Sequence, residues 1–112
     1  MTDLETLKQT SLHDIGIDSL AIDFQSRQLT LKLGIYNEDD RTYDALTLSF
    51  QGINNLNLGL LELAANGFDA LEIATHTVTH TSEFLAVNFL VLTGPGGLSV
   101  SWSFSFEDVR IS

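Results

Sequence analysis

The stretch Leu98-Ser-Val-Ser-Trp-Ser-Phe-Ser-Phe106 alternates apolar residues with serines over its whole length. On an extended backbone, alternate side chains lie on opposite faces, so one face is apolar and the other carries only hydroxyls. The pattern therefore predicts a β-strand with a buried apolar face and a less buried serine face. The serine face has three open interpretations: plain solvent surface, a covered second layer, or a docking site. Its members are Ser99, Ser101, Ser103 and Ser105.

The segment that precedes this strand is predicted to be its hairpin partner. Residues 83–93 place apolar groups on both faces, interrupted only by Asn88, which predicts a central strand covered on both sides. Thr93-Gly-Pro-Gly-Gly97 is typical of a turn and connects the two strands into an antiparallel hairpin. It is followed by no helix and no P-loop lysine, so we do not expect it to bind phosphate.

The alternation changes parity after Phe106, because the next apolar residues are Val109 and Ile111. Uninterrupted alternation cannot move apolar side chains from even to odd positions on one face. We therefore expect a bulge or a tight bend at Glu107-Asp108.

Four further segments have the alternation of β-strands. They are residues 17–24, 29–35, 46–51 and 69–79. The first two are predicted to form a hairpin through residues 25–28, and the polar segment 36–43 is predicted to be a loop. Residues 3–12 are compatible with a single helical turn or an irregular arm. Leu56 and Leu58 alternate as in a strand, but we favour a short helix over residues 57–66, with Gly67 ending it.

These segments together predict a mostly β protein. We expect a single antiparallel sheet of about six or seven strands, curved or folded into a sandwich, with one short helix. At 112 residues the chain is expected to form a single domain, residues 1–112, with a core that needs no disulfide. The chain contains no cysteine, which excludes disulfides, thiolate metal sites and a thiol nucleophile.

The charge is strongly acidic, with fifteen Asp and Glu residues against five Lys and Arg and a net charge of −10. Such a surface repels phosphate backbones and anionic lipids, so we expect neither nucleic-acid nor membrane binding. It attracts a basic partner, although acidity also serves solubility. We find no secretion signal and no long apolar run, and we expect a cytoplasmic protein.

The densest acidic run is Glu38, Asp39 and Asp40, with Asp44 close behind. A calcium loop requires a central glycine and a final glutamate, which do not follow here. Two interpretations remain: a solvated hairpin tip, or a contact for basic groups of a partner. We name Glu38, Asp39, Asp40 and Asp44 as candidate partner-binding residues.

The sequence shows no recognisable catalytic or metal-binding constellation. His76 and His80 lie on one face of a strand, but about 13 Å of backbone separates them, too far for one metal ion. No serine lies in a Gly-x-Ser-x-Gly turn, and Trp102 and Phe104 are predicted core residues rather than the lining of a ligand pocket. We therefore expect a protein without cofactor, metal or enzymatic activity.

Several segments together resemble the immunity protein 50 family, which is encoded beside bacterial polymorphic toxins. The resembling segments are Leu12-His-Asp-Ile15, the first hairpin, Leu46-Thr-Leu-Ser-Phe-Gln-Gly-Ile53, Leu56-Asn-Leu58 and Phe68-Asp-Ala-Leu-Glu-Ile73. The resemblance implies a small inhibitor that binds and neutralises a toxin without chemistry of its own. It extends to His13 and Asp14, where Asp14 is expected to close a turn beside the first strand.

Two functional hypotheses follow. The first is a protein-binding domain that resembles an immunity protein and neutralises a toxin through an acidic surface. The second is an accessory module whose sheet binds a small ligand in an apolar cavity or forms a homodimer through exposed strands.

Overall fold

The structure is a computed structural model and describes residues 2–59, 71–92 and 99–112. These ranges contain one helix and eight strands. In chain order the elements are α1 (Asp3–Gln9), β1 (Ile15–Asp23), β2 (Gln28–Asn37), β3 (Thr42–Gln51), β4 (Asn54–Asn57), β5 (Leu71–His80), β6 (Leu85–Leu92), β7 (Ser99–Phe106) and β8 (Asp108–Ile111).

All eight strands belong to one sheet in the order β4-β7-β6-β5-β1-β2-β3-β8, and every neighbouring pair is antiparallel. This confirms the predicted mostly β fold with a single antiparallel sheet. The strand count exceeds the prediction because Asn54–Asn57 forms a short edge strand and because the C-terminal stretch is a strand of its own.

The sheet is folded over, so that its two halves face each other across the core. Strands β1 and β5 join the halves, and among the described residues they do so through three residue pairs, from Ile15–Ile73 to Ile17–Leu71. Phe50 of β3 packs edge-on against Phe104 of β7, with ring centroids 4.9 Å apart. We call the core side of both halves the inner face and the opposite side the outer face. The edge strands β4 and β8 do not pair, so the sheet is not closed within the described residues.

The bend predicted at Glu107-Asp108 is where the chain passes from one half of the sheet to the other. Phe106 still pairs with β6, whereas Asp108 already pairs with Gln51 of β3. The Glu107 N–H donates a hydrogen bond to the Gln51 carbonyl oxygen at 2.8 Å. The change of parity therefore reflects a change of partner strand.

Strand β7 has the predicted buried apolar face and less buried serine face. Trp102, Phe104 and Phe106 are buried and Val100 is half-buried, and Trp102 is 2% exposed. Ser99 and Ser101 are exposed, while Ser103 and Ser105 are half-buried. The Trp102 Nε1–H is the one buried side-chain polar group with no hydrogen-bond partner in the part of the chain that the structure describes.

Strand β6 is central, as predicted, but it is not covered equally on both faces. Val87, Phe89 and Val91 are buried on the inner face, whereas Asn88 is exposed and Leu90 is only half-buried on the outer face. The apolar run in the sequence therefore predicts more burial on the outer face of β6 than the structure has.

The first hairpin turns one residue earlier than predicted. Strand β1 ends at Asp23, and Phe24 is 80% exposed instead of pointing into the core. The Asp23 side chain accepts hydrogen bonds from the backbone N–H groups of Gln25 and Ser26, at 3.0 and 3.3 Å. Hydrogen bonding from Ser26, and then from Gln25, lowers the pKa of Asp23 below its ordinary value.

Only half of the predicted loop 36–43 is a turn. Strand β2 continues to Asn37 and β3 begins at Thr42, which leaves only residues 38–41 as the turn. Tyr36 and Tyr43 pair across the two strands, with ring centroids 5.2 Å apart. Cross-strand aromatic pairs extend a hairpin without burial in a core, which apolar alternation cannot reveal.

The N-terminal segment forms helix α1, which was one of the two open interpretations. The Thr2 side chain caps the helix by accepting a hydrogen bond from the Glu5 N–H. Leu7 and Leu12 are buried in the core, and the Asp3 carboxylate accepts a hydrogen bond from the Ile111 N–H of edge strand β8. The segment therefore fastens the core to the edge of the sheet.

Two predicted features fall wholly or partly outside the described residues. The first three residues of the predicted helix 57–66 are not helical, since Asn57 ends β4. Residues 60–66, with Gly67, lie outside the described ranges, as does the predicted turn 93–97.

Candidate functional site

The candidate partner-binding residues surround the turn between β2 and β3. The Asn37 side-chain oxygen accepts hydrogen bonds from the Asp39 and Asp40 N–H groups, at 3.0 and 3.4 Å. The Asn37 amide nitrogen donates to the carboxylates of Asp40 and Asp44, at 3.4 and 3.3 Å. We call Glu38, Asp39, Asp40 and Asp44, which are all exposed, the acidic tip. Asp44 belongs to β3 rather than to the turn.

A second acidic site lies beside the acidic tip, on the outer face of β1, β2, β3 and β5. Its floor is formed by Gly16 and Gly34, which are directly opposite each other in the β1–β2 pair. Because neither residue has a side chain, the outer face is hollow at this point, and the cavity has a volume of about 320 Å³. A β-carbon built on Gly16 would have only the Leu71 carbonyl oxygen within 4.0 Å.

The walls of this cavity are carboxylates and tyrosine rings. They are supplied by Asp14, Asp18, Glu72, Tyr36 and Tyr43. We call this cavity, with its two-glycine floor, the acidic pocket. None of the described residues that line it is basic.

The position of Asp18 results from a β-bulge. Ile17 pairs with Leu33 and Ser19 pairs with Lys32, so Asp18 is the extra residue of β1. A bulge redirects side chains locally, and the Asp18 carboxylate lies 3.2 Å from the β-carbon position of Gly34.

Asp14 reaches the acidic pocket from the turn before β1, and Glu72 reaches it from β5. Asp14 has φ 63° in the turn before β1, and its N–H donates a hydrogen bond to the Ile73 carbonyl oxygen at 2.8 Å. Glu72 is opposite Gly16 in the β1–β5 pair. Asp14 therefore closes the turn beside the first strand and also contributes a carboxylate to the wall.

The acidic pocket has the chemistry of a site for an organic cation. Carboxylates attract an ammonium or a guanidinium, and a tyrosine face adds a cation–π contribution of about 0.5–1 kcal/mol at an exposed position. Both tyrosines are exposed, and Tyr43 is 74% exposed, so the rings are accessible to a partner. Within the described residues, no cluster of three His, Cys, Asp or Glu side chains has the geometry to hold a metal ion.

The three histidines have a different role, since each makes a hydrogen bond between the N-terminal segment and β5. His76 donates from Nε2 to the Leu7 carbonyl oxygen at 2.7 Å and stacks on Phe89. The His80 Nδ1 accepts a hydrogen bond from the Lys8 ammonium at 2.9 Å, and His13 donates from Nδ1 to a carbonyl oxygen of β5 at 2.6 Å. They anchor the N-terminal segment rather than meeting at one centre.

The sequence contained a signal for the acidic pocket that the strand assignments did not use. The apolar residues Ile15 and Ile17 occupy odd positions, whereas Leu20 and Ile22 occupy even positions. This change of parity marks the bulge at Asp18, just as the later change marks the bend at Glu107. Asp14 and Glu72 carry no such local signal, because only strand pairing brings them together.

Comparison of the chain with protein-family models, with curated proteins and with solved structures found no match. The fold and the site define a mostly β protein with an acidic, tyrosine-lined pocket on an antiparallel sheet. In the described ranges, the single helix is too short to cross a membrane.

Proposed function

We propose that this protein binds a basic partner protein through the acidic pocket and the adjoining acidic tip, as an immunity protein binds a toxin. The observation that carries the proposal is the arrangement of three carboxylates and two tyrosine rings over a glycine floor. A lysine or arginine side chain of the partner enters the pocket, where its charge meets Asp14, Asp18 and Glu72.

The acidic tip extends the same charge beyond the pocket. Tyr36 and Tyr43, which line the pocket, flank Glu38, Asp39 and Asp40 of the tip along the chain, and Asp44 follows Tyr43 directly. A partner surface with one inserted basic side chain and further basic residues around it therefore meets the carboxylates of the acidic tip, among which Arg41 is the one basic residue of the turn. The overall charge of −10 increases the rate of such an encounter at low salt.

An apolar ligand cavity or a homodimer through exposed strands has less support. The described cavities open on the surface, and the core is filled by packed side chains. Edge strand β8 already donates its Ile111 N–H to Asp3, and edge strand β4 is short and irregularly paired. Short or covered edges discourage strand pairing between chains.

The test is the affinity for the toxin domain encoded by the neighbouring gene, measured by isothermal titration calorimetry and by rescue of growth on co-expression. We expect binding that weakens steeply as salt is raised. Gly16→Val fills the floor of the pocket without changing charge, and a branched residue suits a strand. We expect this variant to keep its melting temperature and to bind at least about tenfold more weakly.

Three outcomes contradict the proposal. They are no binding of the toxin domain by the wild-type protein, wild-type affinity for Gly16→Val, and affinity that does not change with salt.

A further inference from the structure

A second cavity, much larger than the acidic pocket, opens on the outer face of β5, β6 and β7 beside β4. Its volume is about 680 Å³, within the range of roughly 300–1,000 Å³ that is usual for small-molecule sites. It is lined by Asn54, Asn55, Thr77, Thr79, Phe84, Ala86, Val87, Asn88, Ser103, Phe104 and Ser105. We call it the polar groove.

The strand register places the polar groups of this groove in rows across the sheet. Thr77, Asn88 and Ser103 are aligned across β5, β6 and β7. The next row on the same face runs from Thr79 through Ala86 to Ser105 and then to Asn54 of β4. Neighbouring strands are about 4.8 Å apart, so each row offers hydrogen-bonding groups at regular short intervals.

The described residues that line the groove are all uncharged, although the chain carries fifteen acidic residues. Its polar groups are hydroxyls and primary amides, each of which both donates and accepts hydrogen bonds. A ligand that suits this lining is neutral and carries groups that both donate and accept hydrogen bonds.

One exposed aromatic ring borders the polar side chains. Phe84 is 49% exposed at the end of the turn between β5 and β6. The Thr81 hydroxyl accepts hydrogen bonds from the Glu83 and Phe84 N–H groups at 3.2 and 3.1 Å, and the Thr81 N–H donates to the Phe84 carbonyl oxygen at 3.0 Å. The ring is therefore attached to a backbone that is held in place.

The opposite wall is formed by the start of β4. The Asn54 side-chain oxygen accepts a hydrogen bond from the Asn55 N–H, and Asn55 has φ 54°. The Ser105 hydroxyl donates to the Asn54 carbonyl oxygen at 3.1 Å, which joins this wall to β7.

We propose that the polar groove is a binding site for a short neutral oligosaccharide. Sugar hydroxyls donate and accept hydrogen bonds, as the amides and hydroxyls of the groove do. The apolar C–H face of a sugar ring packs on the exposed Phe84 ring, whose negative face attracts the polarised C–H groups. Asn88 lies at the centre of its row and hydrogen-bonds the sugar between β5 and β7.

Other ligand classes fit this lining less well. Phosphorylated or carboxylated ligands find no basic side chain among the described residues that line the groove, and the net charge of the chain repels them. An extended peptide binds a sheet edge through backbone groups, whereas this site is the face of the sheet and offers side chains. The inference does not depend on the proposed function, since the two sites share no lining residue in the part of the chain that the structure describes.

The test is a heteronuclear NMR titration of the whole protein with maltotriose, cellotriose and triacetylchitotriose, each raised to about 10 mM. We expect at least one of them to bind with a dissociation constant of about 1 mM or below and to shift the amide signals of Asn54, Asn88 and Ser103. No shift with any of the three overturns the inference, as does a set of shifts confined to the acidic pocket.

Variants and a charged trisaccharide distinguish specific binding in the polar groove from nonspecific binding. Asn88→Ala and Phe84→Ala each lower the affinity at least about fivefold, while Asp18→Asn in the acidic pocket leaves it within about twofold. Trigalacturonate, a charged trisaccharide, does not bind. Equal affinity of wild type and Asn88→Ala, with both folded by their NMR spectra, or trigalacturonate binding as strong as that of the neutral sugars, contradicts the proposal.

Discussion

Replacing Trp102 with alanine is the most direct perturbation of the strand that organises the fold. Trp102 is 2% exposed, and a buried tryptophan removes about 150–250 Å² from water, worth about 4–6 kcal/mol at 25 cal/mol/Å². Its Nε1–H has no acceptor among the described residues, and such a group costs about 1–3 kcal/mol. We therefore expect Trp102→Ala to lower the free energy of unfolding by about 3–5 kcal/mol.

The assay is urea unfolding followed by circular dichroism, with Ser101→Ala as the matched control on the exposed face of the same strand. Ser101→Ala is expected to cost less than about 0.5 kcal/mol, because surface substitutions change stability little. Trp102→Phe keeps a ring and removes the unpaired N–H, so it is expected to cost about 1–2 kcal/mol. Equal costs for Trp102→Ala and Ser101→Ala would refute the assignment of the two faces.

Three further predictions concern other parts of the molecule. Because hydrogen bonds depress the folded-state pKa of Asp23, its contribution to stability is present above its unfolded pKa and is lost as the pH falls through the lower folded pKa. An NMR titration should therefore give Asp23 a pKa below 3.8, and a value at or above 3.8 contradicts this cause. Gly52→Ala should lower the free energy of unfolding by about 1–2 kcal/mol or more, since Gly52 has φ 68° and a β-carbon there overlaps the Glu107 side chain; unchanged urea unfolding would exclude this strain. His76→Ala should cost about 1–3 kcal/mol and increase amide hydrogen exchange in α1, because the Leu7 carbonyl oxygen loses its donor; exchange unchanged in α1 would show that His76 does not anchor the helix.

Alternation along the chain predicted the strands and their faces because each local pattern must match one buried side. The inward direction of Trp102 and the bend at Glu107 both follow from counting odd and even positions. Alternation gave wrong predictions where the local structure does not depend on burying one face. The Tyr36–Tyr43 pair extends a hairpin at the surface, and the exposed Phe24 has the parity of a core residue.

The acidic tip could be predicted from a single run of residues, but the acidic pocket could not. Asp14, Asp18 and Glu72 come from a turn, a bulge and a distant strand, and only the short β1–β5 pairing places them together. The polar groove could not be predicted either, because its rows of polar side chains depend on the pairing register of β5, β6 and β7. Long-range register is not encoded in any one segment, although the parity change before Leu20 does mark the bulge.

The most direct test of the proposed function compares two variants that remove the same charge at different places. Asp18 lies in the wall of the acidic pocket, whereas Asp108 is exposed on edge strand β8 and does not line the pocket. The measurement is the affinity of Asp18→Asn and of Asp108→Asn for a toxin domain of the proposed basic partner class, at one salt concentration. We predict that Asp18→Asn binds at least about tenfold more weakly than wild type and that Asp108→Asn stays within about twofold. Equal losses in the two variants would show that only the overall charge matters and would contradict a specific site at the acidic pocket.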